Sequence, residues 1–247
     1  MIWKGAVGRL CIALLLCLVS SLQLAKAQVS QQLSRRIIGK NFLGVEEVAE
    51  HLGIGLTGKE RARVRDIPYS EATLQQCKDS HILFLGVGRD KEGKPLTIRC
   101  LREMFPAGGQ PCFRSYPRGS ETEQAYSDKE TPHLRWYLIA RSLREESRSK
   151  PYWQQHLFLK ENEYREKAVV YVYMMLLMYK ARGERLFERD LVLCRDVGSD
   201  GAPVIAGYFA REGIYVRDWW HRRDNHFGVA PARKRDFPCR RRAVERN

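Results

Sequence analysis

The chain has 247 residues, with 43 Lys+Arg against 29 Asp+Glu and a formal net charge of +14. That length suits one large domain or two small ones, and either can bury a core. The charge favours acidic partners (nucleic acid, anionic envelope polymers, lipid headgroups) or is simply that of a basic soluble surface.

Residues 1–27 follow the secretory pattern: Lys4 and Arg9, an apolar run from Leu10 to Val19, then Ala25-Lys26-Ala27. The run falls short of the ~20 apolar residues a bilayer span needs, so cleavage after Ala27 and export are expected, to the periplasm, the cell surface or the medium. Five cysteines follow: Cys77, Cys100, Cys112, Cys194 and Cys239. An odd number in an oxidising compartment leaves one thiol free or paired between molecules. Cys100 and Cys112, with Pro106 to Pro111 between them, are the candidate disulfide. No spacing is CxxC, which argues against a structural zinc, and no cofactor motif is present.

Val45, Val48, Ala49 and Leu52 form one apolar stripe on a short helix that Gly53 stops. Thr57 and Glu60 have capping-box spacing, opening a second helix towards Arg65. Ser70 caps a third, from Glu71 to about Lys78. The first two helices resemble a helix-turn-helix only superficially, and an exported chain argues against DNA; they read as packing helices. His81 to Val87 is a continuous apolar run, expected as a strand buried on both faces with His81 a structural histidine at its head. Gly86-x-Gly88 is no phosphate loop, since no Lys-Ser/Thr pair follows.

Pro95–Cys100 is expected as a second strand, and 105–132 as a loop or linker that sets a domain boundary. The expected organisation is therefore a signal peptide (1–27), an N-terminal helical and strand region (28–104), the loop, a C-terminal α+β domain (133–238) and a basic tail (239–247). His133–Ser149 reads as a moderately amphipathic helix. Ala168 to Tyr179 is apolar all round and too short to cross a membrane, so it reads as a central core helix, with Glu161 and Glu163 before it and Gly183 after it. Leu191–Cys194, Val204–Phe209 and Ile214–Val216 then read as a small antiparallel unit packed on that helix. The expected class is α+β: N-terminal helices, plus a small antiparallel sheet on a central apolar helix.

Beyond the last strand, Trp219, Trp220, His221, Arg222, Arg223, Asp224, Asn225 and His226 gather indole, imidazole, guanidinium and amide groups. Trp, Tyr and Arg dominate binding hot spots, and aromatic anchors carry large contact area at low entropic cost. These eight residues are the candidate ligand-binding surface. His221, His226 and Asp224 match no strong metal template, so no metal is assigned. No catalytic residues are assigned either: Gly-x-Ser-x-Gly, HExxH and a matched carboxylate pair are all absent.

Asn41–Glu47, Cys77–His81, Gly183–Glu188, Ser199–Gly201 and Gly228–Lys234 resemble the recurring features of an uncharacterised bacterial protein family, many of its members from small-genome candidate phyla. That resemblance covers most of the chain and implies no activity. Gly207-Tyr-Phe, Gly213-Ile-Tyr-Val, Trp219-Trp220, Arg223-Asp-Asn225 and Gly228-Val-Ala are similar to the closing segment of C-type-lectin-like variable proteins of diversity-generating retroelements. That similarity implies a rigid β scaffold displaying exposed side chains to ligands.

The leading functional expectation is an exported binding protein whose aromatic and basic C-terminal surface engages a macromolecule or glycan of acidic or aromatic-compatible character. The alternatives are nonspecific binding of nucleic acid or an anionic polymer, and a hydrolase using His81, His133, His221 or His226 as general base.

Overall fold

The computed structural model describes residues 29–114, 126–199, 201–218 and 226–237. Cys239 and the residues assigned to the leader lie outside them.

Val29–Ser30 (β1) pairs antiparallel with Asp66–Ile67 (β3) and leads into Gln31–Ile38 (α1). The polar segment that opens the described residues is therefore helical. Ser30 caps this helix, its hydroxyl accepting from the Leu33 N–H, and only Ser34 and Ile38 of its eight residues are buried, which leaves a thin apolar signal. Phe42–Leu43 (β2) precedes Val45–Leu52 (α2), which ends on Gly53 in the left-handed conformation at φ 69°. Gly58–Arg63 (α3) carries the expected capping box between Thr57 and Glu60. It buries no residue, so it is a surface helix and not the packing helix its neighbour is. Glu71–Cys77 (α4) follows its Ser70 cap.

His81–Gly86 (β4) is buried from Ile82 onward. Two expectations change after it. Pro95–Cys100 is not a strand: Thr97 accepts from the Cys100 N–H and caps Ile98–Met104 (α5). The stretch at 133–149 is not a helix but holds strand Arg135–Ala140 (β5). Leu134, Tyr137 and Leu138 mimic helical spacing, yet Trp136 and Ile139 are buried as well, and an unbroken apolar run is what a strand covered on both faces requires.

β4 and β5 pair antiparallel through six residues, His81 opposite Ala140 to Gly86 opposite Arg135. With Glu163–Tyr164 (β6) and Ala232–Arg233 (β11) they form a five-stranded mixed sheet in the order β2-β4-β5-β11-β6. The two sides of the 105–132 loop thus share one sheet and one core, so the expected domain boundary does not separate two units.

Ala168–Arg182 (α6) is the central helix, with every residue from Ala168 to Met178 buried. On one side it meets β2 and β4, and the Tyr173 hydroxyl donates to Leu85 O at 3.0 Å. On the other it meets Leu191–Val197 (β7) and Pro203–Ala210 (β8). A helix lying between two sheets must be apolar all round. The acid at its N-terminus is neither Glu161 nor Glu163 but Asp196 from β7, which accepts from the Ala168 N–H at 2.5 Å. Glu163 sits in β6, paired with Arg144 at 2.8 Å. Gly183 ends the helix at φ 69°.

The second sheet runs Phe227–Gly228 (β10), β7, β8, Gly213–Asp218 (β9). β7, β8 and β9 are successive antiparallel neighbours, and β10 lies parallel to β7. Alternation divides its faces: Val192, Cys194, Val204, Ala206, Ile214 and Val216 join the core around α6, while Leu191, Leu193, Ile205, Tyr215 and Phe227 form a separate cluster on the far side. The molecule is α+β, as expected, and no helix among the described residues is long and apolar enough to cross a membrane.

Candidate functional site

Seven of the eight candidate ligand-binding residues, Trp219, Trp220, His221, Arg222, Arg223, Asp224 and Asn225, lie outside the described residues. Their flanks are placed. Asp218 ends β9 opposite Val204. His226 stands exposed before β10, its carbonyl accepting from the Leu191 N–H at 2.6 Å and its ring centroid 6.1 Å from that of Tyr208. Because β9 and β10 run in the same direction at opposite edges of the sheet, Asp218 and His226 sit at opposite ends of it as well.

The far face of this sheet supports a surface that sequence reasoning passed over. Phe158 and Leu159 pack onto it, and Phe158 closes a 3-10 helix, Tyr152–Phe158. Gln155, fully buried, anchors that helix from within: its Nε2 donates to Ser147 O at 2.9 Å and Lys150 O at 2.7 Å. The Arg144 guanidinium donates to Phe158 O at 2.7 Å. With its polar anchor and Phe158 turned inward, the helix turns Trp153 (70% exposed), Leu157 (68%) and Tyr152 (39%) out to solvent. Among the described residues the other large exposed hydrophobic is Val197. Isolated exposed apolar residues are ordinary, but here three fall in one seven-residue element. Lys150, His156 and Lys160 are exposed in the same stretch, and the Arg165 guanidinium lies 5.5 Å from the Tyr152 ring. The sequence signal was available: Pro151-Tyr-Trp followed by Leu157-Phe has no helical or alternating period that would bury it all.

Of the histidines proposed as bases, His133 is exposed, and its backbone N–H donates to the Tyr137 hydroxyl at 3.0 Å. His81 has a hydroxyl neighbour: its Nδ1 lies 2.8 Å from Ser80 Oγ. Its Nε2 is buried without a hydrogen-bond partner, so no carboxylate orients the ring as a nucleophile's base requires. Burial pushes its pKa down to about 4, helped by the Arg233 guanidinium and partly opposed by Glu163.

This has a measurable consequence. The unfolded chain binds a proton at His81 below pH 6.5, the folded chain only near pH 4, so stability is complete above 6.5 and falls as pH drops between those values. The wild type should lose up to about 3 kcal/mol more than His81→Gln across that window, measured by denaturant unfolding at each pH. Parallel stability curves for the two proteins would show that His81 is not held neutral.

Cys77, Cys112 and Cys194 are buried thiols and Cys100 a partly buried one. The candidate Cys100–Cys112 disulfide is not formed: Cys100 Sγ lies 3.7 Å from Asp90 Oδ2, and Gln110 Nε2 lies 3.6 Å from Cys112 Sγ. Among the described residues no three His, Cys, Asp or Glu side chains gather as metal ligands do.

A cavity of about 410 Å³ opens where β4 ends, between α3 and the turn at 88–93. Its volume lies in the range of small-molecule sites. Gly88 is required for its shape, because a Cβ there would come 2.9 Å from Pro132 O.

The chain matches no protein-family model, and neither the curated proteins nor the solved structures yield a relative.

Proposed function

We propose that this is an exported binding protein, and that it engages an acidic glycan through an aromatic and basic surface beside its C-terminal sheet. The carrying observation is the 3-10 helix at 152–158, whose Trp153 and Leu157 stay largely exposed while Gln155 and Phe158 fix its backbone from beneath. A rigidly held indole in water gives contact area at little entropic cost. The basic neighbours and the net charge of +14 select for an acidic polymer.

The residues from Trp219 to His226 extend the same reading through their composition of indole, imidazole and guanidinium groups. Their likeness to C-type-lectin-like variable proteins supports a display role for this end of the chain. A hydrolase is less well supported, because the Ser80–His81 contact has no orienting carboxylate.

The full chain should bind a sulfated polysaccharide saturably and the uncharged polymer dextran not at all. Trp153→Ala/Leu157→Ala should weaken that binding about tenfold or more while moving the melting temperature by no more than about 2 °C. Trp220→Ala/Arg222→Ala/Asn225→Ala should behave alike. Unfolding of either variant, or undiminished binding by both, would contradict the reading. A loss of affinity with salt that is identical in wild type and variants would point instead to nonspecific attraction of any polyanion.

A further inference from the structure

We infer that Arg165 is the residue that recognises the charged group of the acidic glycan, its guanidinium taking a sugar-borne oxyanion, carboxylate or sulfate, beside Tyr152. The inference rests on the reading of the 152–158 helix as the binding surface and names the group there that selects for charge.

Arg165 reaches that surface because the chain doubles back. After the 3-10 helix the Glu163 N–H donates to Lys160 O at 2.9 Å, and the Glu163 carboxylate accepts from the Lys160 N–H at 2.8 Å, closing a turn into β6. Just past β6, the Arg165 guanidinium lies 5.5 Å from the centre of the Tyr152 ring. With three residues per turn, Tyr152 shares the inward side of the helix with Gln155 and Phe158, while Trp153 and Leu157 project from the other sides. Arg165 therefore sits at the rim, where the buried side of the helix meets the exposed one.

Arg165 has no counter-charge there. The carboxylates beside it in sequence are paired elsewhere, Glu163 with Arg144 and Glu166 with Arg135. Asp196 accepts from the Ala168 N–H at 2.5 Å and makes no ion pair with Arg165. Among the described residues no carboxylate comes within ion-pairing distance of Arg165, and no hydrogen bond reaches any of its nitrogens. Arg135 and Arg185 also keep a buried Nε without a partner, but their other nitrogens donate to Glu166 and Gln110. Arg165 is half-buried with its Nη1 enclosed, while Nη2 and Nε are not sealed. A guanidinium stripped of part of its water and given no anion costs the fold stability, and the Tyr152 ring offsets only part of that cost. An oxyanion from outside would offset the rest. Carboxylate and sulfate each present two oxygens to the open edge of the guanidinium, and the sugar that bears them has the neighbouring rings to lie against.

Calorimetric titration of the full chain at fixed ionic strength would use dextran sulfate and polygalacturonate, with the uncharged dextran and fully methyl-esterified polygalacturonate as references. Arg165→Met keeps the aliphatic stem. It should weaken binding of at least one charged polymer about tenfold, and it should melt at or above the wild-type temperature because an uncompensated charge is gone. Arg165→Lys keeps the charge without the planar fork and should recover little of the affinity. Arg36, exposed on α1 and without an ion pair among the described residues, supplies the control: Arg36→Ala removes the same charge and should cost no more than about twofold. Loss confined to dextran sulfate assigns a sulfate, and loss confined to polygalacturonate a carboxylate. Wild-type binding of both polymers by Arg165→Met, with Trp153→Ala/Leu157→Ala impaired, overturns this inference and leaves the surface standing. Equal loss in Arg36→Ala, full affinity in Arg165→Lys, or melting of Arg165→Met more than about 2 °C below the wild type overturns it as well. Undiminished binding by both Arg165→Met and the Trp153/Leu157 variant, or no saturable binding of either polymer by the wild type, removes the surface and the residue together.

Discussion

Gly213→Ala should destabilise the protein by about 3 kcal/mol or more, among the largest single effects available to so small a change. Gly213 opens β9 at φ +105°, where an L side chain is strained. Space is the larger problem. An added Cβ would lie 2.6 Å from the carbonyl carbon of Phe113, 2.7 Å from Cys112 O and 2.8 Å from Arg114 N. All three are backbone atoms and cannot rotate aside. They belong to the segment that docks the 105–114 loop onto the sheet, where the Ile214 N–H donates to Cys112 O at 2.9 Å and the Arg114 N–H to Ile214 O at 3.0 Å. Alanine must therefore either distort β9 or push the loop off the edge, breaking both bonds. Gly201→Ala separates strain from collision: its φ is +81°, and nothing lies within 4 Å of the added carbon. That variant should cost about 1 kcal/mol. Denaturant midpoints measure both, and equal losses would refute the docking of the loop.

Glu166→Ala should cost about 3–5 kcal/mol, the usual consequence of removing one partner from a buried ion pair. Glu166 is 1% exposed and ties three elements together. Its Oε1 accepts from the Arg135 guanidinium of β5 and from the Tyr164 hydroxyl of β6 at 2.7 Å, and its Oε2 accepts from the Lys167 N–H at the threshold of α6 at 3.2 Å. Without it, Arg135, whose Nε is already buried and unpartnered, keeps a charge with nothing to balance it. Glu166→Gln retains an acceptor and should lose less. The double variant Arg135→Ala/Glu166→Ala should lose less than the sum of its singles, because the stranded guanidinium is gone. Additive losses would show that the two residues act independently.

The elements legible in the sequence were those whose own residues enforce them. Thr57 with Glu60, Ser70 and Gly53 mark helix ends through bonds or backbone freedom within a few residues. Ala168–Arg182 and His81–Gly86 were legible because burial on every side leaves a continuous apolar run, long in one case and short in the other. The misread elements depended on distant partners. Arg135–Ala140 becomes a strand because β4 and β11 lie on either side of it, and β11 arrives nearly a hundred residues later. Ile98–Met104 forms on a Thr97 cap between too few residues to show a period. Gln31–Ile38 buries so little that its pattern is faint. For the candidate site, the composition after Asp218 pointed to a displayed surface, but the patch at 152–158 depends on Gln155 reaching back to Ser147 and Lys150, which no apolar pattern records.

Hydroxyl-radical footprinting of the full chain, with and without a sulfated polysaccharide, tests the central claim most directly. Trp153 and Leu157 should be oxidised readily in the free protein and Trp136, 3% exposed, hardly at all. On adding the polysaccharide, protection should concentrate on residues 152–157 and on the tryptophans at 219 and 220. Oxidation at Trp153 that is unchanged by saturating polysaccharide, with protection spread evenly over the arginine-bearing surface, would contradict a dedicated binding surface.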